Sequence, residues 1–213
     1  MVTKYPESGI FFTSDTHFGH SKIIDYCKRP FSSIEEHDKT LIQNWNNVVG
    51  QDDTVFHLGD FAYGNSQFIA NIIKQLNGNI ILIKGNHDLR NMNPTLYNIF
   101  SDVVYQARIL IDKQTVYLNH FPFLCFEHGD INLYKDNYSI QLFGHVHSSE
   151  QNKNGLDNQR LSMLFPTQYD VGVDNNNYTP VSFDQVKNII ETQMLSLNMH
   201  RGKWNEKRFF RNC

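Results

Sequence analysis

The sequence predicts an α/β domain built on a largely parallel sheet. Short runs rich in β-branched and aromatic residues recur along the chain, and amphipathic stretches at helical spacing lie between the early ones. Several of these runs end alike, at Gly, Asn, Asp or His. A strand–helix–strand succession of this kind lays helices over a parallel sheet.

Ile10-Phe11-Phe12-Thr13 reads as a buried strand leading into Ser14-Asp15. Ser33-Ile34-Glu35-Glu36 is a capping-box pattern, after which Ile34, Leu41, Ile42, Trp45 and Val48 recur at helical spacing. Thr54 to Leu58 forms the next strand, ending at Gly59-Asp60, and residues 66–76 a second helix, stopped by Asn77-Gly78. Ile80-Ile81-Leu82-Ile83 then runs into Lys84-Gly85-Asn86-His87-Asp88.

The second half changes character. Val103 to Leu118, broken at Asp112-Lys113, reads as a hairpin that delivers Asn119-His120, and Ile140 to Phe143 delivers Gly144-His145. Tyr169 to Val173 reads as a late strand, Ser182 to Leu197 as a closing helix, and residues 151–168 as a polar surface loop. No repeat or linker divides the chain, so residues 1–213 are expected to form a single domain, with 201–213 as a basic and aromatic C-terminal tail.

At 213 residues the chain can bury a substantial core without disulfides. Cys27, Cys125 and Cys213 are scattered and form no CxxC pair, which points to reduced thiols rather than a thiolate zinc site. No apolar run approaches the ~20 residues of a membrane span, and the first residues turn polar too soon for a signal peptide. A cytoplasmic protein with no membrane partner is therefore expected. The net charge of −3 gives no footing for a general polyanion binder, so nucleic acid is not an expected partner. Trp204, Phe209 and Phe210 among the tail's Lys and Arg are read as docking on the domain rather than stacking on bases.

The 10 histidines are positioned rather than sprinkled. Asp15-Thr16-His17 is a DxH, of which chance supplies about 0.7 in this composition, so alone it decides nothing. Gly85-Asn86-His87-Asp88 is expected only about 0.005 times, and Gly144-His145-Val146-His147 as GHxH about 0.03 times. Their joint occurrence in this order, each after a strand, is not accidental. Carboxylate, imidazole and amide donors without sulfur suit Mn²⁺, Fe, Ni²⁺ or Zn²⁺. A pair of such ions can clamp the attacking and leaving oxygens of an in-line displacement, and strand ends are where open α/β sheets place such sites.

The order DxH, Gly59-Asp60, GNHD, His120 and GHxH resembles the calcineurin-like metallophosphoesterase superfamily. Phe12 to His20, Arg29-Pro30-Phe31, Val171-Gly172-Val173-Asp174 and Pro180-Val181-Ser182 resemble a narrower group of compact bacterial and phage phosphoesterases. The resemblance covers about residues 10–190. It is specific for the superfamily and far less so for the substrate.

This resemblance implies a four-layer α/β/β/α sandwich, two mixed sheets flanked by helices. It assigns Asp15, His17 and His147 to one metal and Asn86, His120 and His145 to another, with Asp60 as bridge. His87 would be the general acid and Asp88 the carboxylate that orients it. The implied reaction is one step, a hydroxide between two divalent ions attacking phosphorus while His87 protonates the departing alkoxide. Mn²⁺ is the expected ion. A small phosphorylated substrate is expected, with a phosphodiesterase acting on a small or cyclic nucleotide favoured. A phosphomonoesterase on nucleotides or phosphoproteins stands close behind, and a nuclease third. A non-catalytic binding module is the rival from another class, against which the full ligand set argues. His20, Arg29 and His128 are candidate substrate contacts. His57 is expected to pack or to satisfy the backbone, and His37 and His200 to lie at the surface.

Overall fold

The computed structural model describes residues 3–127, 138–148 and 161–201. Ten strands form two five-stranded sheets packed back to back. The first sheet orders β10 (Val181–Ser182), β2 (Ile10–Thr13), β3 (Thr54–His57), β4 (Asn79–Ile83) and β5 (Asp102–Val104); all its pairings are parallel except β10 with β2. The second orders β1 (Thr3–Tyr5), β6 (Gln106–Ile111), β7 (Gln114–Asn119), β8 (Ile140–Phe143) and β9 (Gln168–Asp170), antiparallel only between β6 and β7.

The two-residue period of the strands sorts the core into two parts. Val55, Ile80 and Leu82 face helices α2 (Ile34–Val48) and α3 (Ser66–Ile73), meeting Leu41, Trp45, Ile69 and Ile72. Their neighbours Phe56 and Ile83, with Phe12, face the other sheet and meet Ile109, Val116, Leu118, Ile140 and Leu142. The closing helix, which spans Phe183–Arg201, adds Phe183, Val186 and Ile190 to this inter-sheet core. Burying each such side chain contributes about 1.5–3 kcal/mol. These contacts make a rigid platform whose strand ends can hold strained loops.

The predicted α/β class and the pair of mixed sheets with flanking helices are what the structure shows. Helix α2 begins as its sequence predicts, with the Ser33 hydroxyl accepting the Glu36 N–H at 3.2 Å, although the Glu36 carboxylate takes the N–H of Ser32 rather than that of Ser33. Helix α3 is capped by Asn65 and ends at Ile73, three residues short of expectation. Two short helices, α1 (Lys22–Cys27) and α4 (Asn86–Asn91), and the short strands β1 and β10 were not foreseen.

The run from Val103 is the main correction. Its first residues complete the first sheet as β5, and the chain crosses to the second sheet at Tyr105, so the hairpin is β6–β7 alone, turning at Asp112-Lys113. The late strand stops at Asp170.

Candidate active site

The residues singled out in the sequence meet at the carboxyl ends of the parallel strands. Asp15 and His17 follow β2, Asp60 follows β3, Asn86 opens α4 after β4, His120 follows β7, and His145 and His147 follow β8. Two clusters of ligand atoms result, each within 4.8 Å: Asp15, His17 and His147, and Asp60, His120 and His145.

Each carboxylate is held by one oxygen and offers the other. Asp15 Oδ2 accepts the His145 N–H at 2.8 Å, while its buried Oδ1 makes no hydrogen bond and stands 3.7 Å from His147 Nε2. Asp60 Oδ1 accepts the His87 N–H at 2.8 Å, while its Oδ2 lies 3.7 Å from His17 Nε2 and 3.5 Å from His120 Nε2. That oxygen therefore stands between the two clusters.

The imidazoles are set by what their far nitrogens meet. His120 Nδ1 lies 2.7 Å from the Leu58 carbonyl, which can only accept, so Nδ1 carries the proton and Nε2 faces Asn86 Oδ1 at 3.1 Å and His145 Nδ1 at 3.2 Å. His147 Nδ1 is likewise 2.8 Å from Asp174 Oδ2, leaving Nε2 toward Asp15. His17 Nε2 is buried without a hydrogen-bond partner. Orphaned buried acceptors are costly unless something fills the space between them. Two divalent cations fit this donor set of carboxylate, imidazole and amide oxygen.

Electrostatics agree. Burial, helped by the neighbouring His147 and Arg29, holds the His17 pKa well below the usual histidine value, so its ring is a neutral donor pair. Burial also raises the Asp60 pKa, with His120 opposing. For His147, burial works against the charged form, but Asp15 and Asp174 outweigh it and raise the pKa well above the ordinary value. A cation entering that pocket must displace a proton.

The backbone bends sharply at these residues. Asp15, His17, Asp60, His145 and His147 all have φ between 46° and 72°, a left-handed conformation that L-residues avoid and that clusters at functional sites. Two motif glycines allow the loops to touch. A Cβ on Gly85 would overlap Asp60, and one on Gly144 would overlap Ser14 Oγ and the Asp15 carboxylate.

Other expectations divide. His57 is fully buried and satisfied, Nε2 against Thr16 Oγ1 at 2.9 Å and Nδ1 accepting the Gly59 N–H at 3.2 Å, and burial lowers its pKa to about 3. His20 lies at the mouth, its ring stacked on Tyr63 at 5.1 Å and 6.0 Å from that of His87. His128 and the tail from residue 202 lie outside the described residues.

Three assignments are corrected. Asp88 does not reach for His87. Its carboxylate accepts the backbone N–H groups of Asp60, Phe61 and Gly85 at 2.7–2.9 Å, tying the GD loop to the GNHD loop. Arg29 is buried rather than open to substrate, and its donors are taken by protein acceptors. His37 is fully buried as well, bonded to Arg29 and Asp38. Asp174, behind His147, escaped notice as a site residue because its spacing from the GHxH motif carries no pattern. Cys27 and Asp174 also lie near His147 as a possible ligand trio, but Asp174 already serves Arg29 and His147.

Fold and site together define a metal-dependent hydrolase with its centre at the strand ends of a double-sheet α/β protein. Residues 9–165 match the calcineurin-like phosphoesterase superfamily domain, and the chain belongs to that family of metal-dependent phosphoric ester hydrolases. It is 33% identical over 184 residues to an uncharacterized protein of Methanocaldococcus jannaschii, covering 85% of this chain and 91% of that one. It is 30% identical over 164 residues to the gene 66 protein of Mycobacterium phage L5, covering 66% and 78%. Among solved structures, a protein of unknown function from Aquifex aeolicus superposes with a TM-score of 0.64 at 24% identity, covering 84% of this chain and 98% of its own, a likeness of fold. No helix among the described residues is long and apolar enough to cross a membrane.

Proposed function

We propose that this phosphoesterase is a two-metal phosphodiesterase acting on a small or cyclic nucleotide, with Mn²⁺ as its ion, Asp60 as bridge and His87 as general acid. The observation that carries the reading is the placement of His87. Its main chain is anchored on Asp60 Oδ1, its Nε2 lies 3.9 Å from Asp60 Oδ2, and its side chain is 35% exposed, so it reaches both the centre and solvent. Two divalent ions held by Asp15, His17 and His147 and by Asn86, His120 and His145, shared through Asp60, would neutralise the ester's charge and lower the pKa of a water to near 7.

The protein's own groups supply the rest. His87 delivers a proton to the leaving oxygen, which matters most for the poor alkoxide leaving groups of diesters. The mouth is flanked by half-exposed aromatic rings, Tyr63 beside His20 on one side and Phe121, 4.6 Å from the His145 ring, on the other. Such rings suit the flat base of a nucleotide substituent.

Turnover of para-nitrophenyl phosphate and its bis ester, with Mn²⁺ and with metal content measured on the same protein, tests this. Preference for the bis ester by about tenfold or more is expected. A comparable preference for the monoester would move the reading to a phosphomonoesterase, and protein that binds no transition metal and turns over neither ester would refute it.

A further inference from the structure

Behind the Asp15/His17/His147 pocket lies a buried chain of polar side chains that touches neither the ester-facing mouth nor the other pocket. Arg29, whose side chain has no exposed surface, grips Asp174 bidentately, Nε to Oδ1 at 2.8 Å and Nη2 to Oδ2 at 2.7 Å. Nη2 also donates to the Asp15 carbonyl at 2.7 Å, and Nη1 to the Thr16 carbonyl at 3.2 Å and to His37 Nε2 at 2.8 Å. All five guanidinium N–H donors thus have acceptors. Arginine cannot accept, so His37 Nε2 must, and its Nδ1–H is left to donate to Asp38 Oδ1 at 2.8 Å. Asp38 in turn accepts the Gly19 N–H, at 3.0 Å through Oδ2. The chain therefore closes on the DTHFGH loop from which it started.

The useful end of this network is Asp174. Its Oδ2 is shared between Arg29 and His147 Nδ1, which forces the His147 proton onto Nδ1 and turns Nε2 toward Asp15 Oδ1. Carboxylates that accept the far N–H of a ligating histidine fix its tautomer and raise its basicity. Arg29 joins both sides of that one pocket, holding the carbonyls of the strained Asp15–Thr16 segment with one edge and Asp174 with another. The neighbouring pocket has a different support, since His120 leans on the Leu58 backbone carbonyl.

We propose that Arg29 and Asp174 act together as a positioning clamp that sets the metal affinity of the Asp15/His17/His147 pocket alone. The inference rests on the two-metal reading above. Arg29 carries the geometry of two loops, and Asp174 passes it to His147.

The test uses the full chain, wild type against Asp174→Asn and Arg29→Lys, both near-isosteric. Mn²⁺ content, Mn²⁺ titration and the electron paramagnetic resonance spectrum are read, with far-UV circular dichroism on each protein. Wild type is expected to bind two ions and to show a spin-coupled pair. Each variant is expected to keep one ion at unchanged affinity, to bind the other ten- to a hundredfold more weakly, and to show the six-line spectrum of isolated Mn²⁺. Two ions at wild-type affinities in Asp174→Asn would overturn the clamp while leaving the two-metal reading intact. Wild type that binds none would overturn that reading itself. Should either variant not fold, imidazole ¹⁵N shifts in Zn²⁺-loaded wild type decide, with a protonated His147 Nδ1 expected and a ligating Nδ1 fatal to the proposal.

Discussion

The two halves of the site use like ligands and unlike supports. On the Asp15/His17/His147 side the ligands are nearly sealed, and ionised groups stand behind them: Asp174, then Arg29, with His37 and Asp38 beyond. On the Asn86/His120/His145 side the supports are a carbonyl and a short helix, and the half-exposed ring of Phe121 lies over them. Placing one cation among buried charges and the other among backbone dipoles makes the pockets unequal before any ion arrives. Asp60 belongs to both, and Asp88 underpins the loops on either side of it.

Breaking the shared element should have the largest effect. Asp60→Asn is expected to lower turnover by about 10⁴-fold, because the several kcal/mol supplied by metal charge depends on both ions. Metal content should fall in parallel, and a variant retaining two ions would show that Asp60 is no bridge. His87→Ala comes next, with a loss of about 10³-fold, within the usual range for general acid catalysis, and both ions retained. An unchanged rate on the bis ester would remove His87 from the chemistry.

Asp88→Ala would leave three buried N–H groups without their acceptor and should cost about 3 kcal/mol of stability, read from urea unfolding. A loss under about 1 kcal/mol would mean that the GD and GNHD loops do not depend on this carboxylate. The smallest effect sharpens the comparison through pH. Burial alone would raise the Asp174 pKa, but His147 and Arg29 override it and hold it at about 2, below the ordinary 3.8. A depressed carboxylate contributes stability that is present above its unfolded pKa and lost as pH falls through the folded one. Asp174 should therefore contribute about 2 kcal/mol at neutral pH, lost between about pH 4 and pH 2. Unfolding midpoints measured across that window should slope in wild type and flatten in Asp174→Asn.

Much of this arrangement was legible in the sequence, for physical reasons. Buried parallel strands must be apolar throughout and must end abruptly, so Ile10–Thr13, Thr54–His57 and Ile80–Ile83 announced themselves, and with them the positions of Asp15, Asp60 and Asn86. GNHD and GHxH were visible because their residues are adjacent in the chain. What lay hidden depended on distance in sequence. Arg29 and Asp174 are 145 residues apart, and a buried arginine looks the same on the page as a solvated one. His37 sits on the inner face of an amphipathic helix, where histidine gives no hydrophobic signal. Asp88 looked like a partner for its neighbour His87, but the turn into α4 aims its carboxylate at the backbone. The switch of sheet at Tyr105 left no mark because β5 and β6 are both ordinary strand sequence.

The left-handed backbone at five of the strand-end residues has a consequence for descent. Each such residue holds the chain at a cost of about 1 kcal/mol relative to glycine or asparagine, a cost tolerated only while its side chain is needed. A lineage released from catalysis would find Gly or Asn at Asp15, His17, Asp60, His145 or His147 relaxing the backbone at the same stroke that removes a donor. Drift at these positions therefore runs downhill for the fold, and one substitution can begin to turn an enzyme of this architecture into a sturdier inert scaffold.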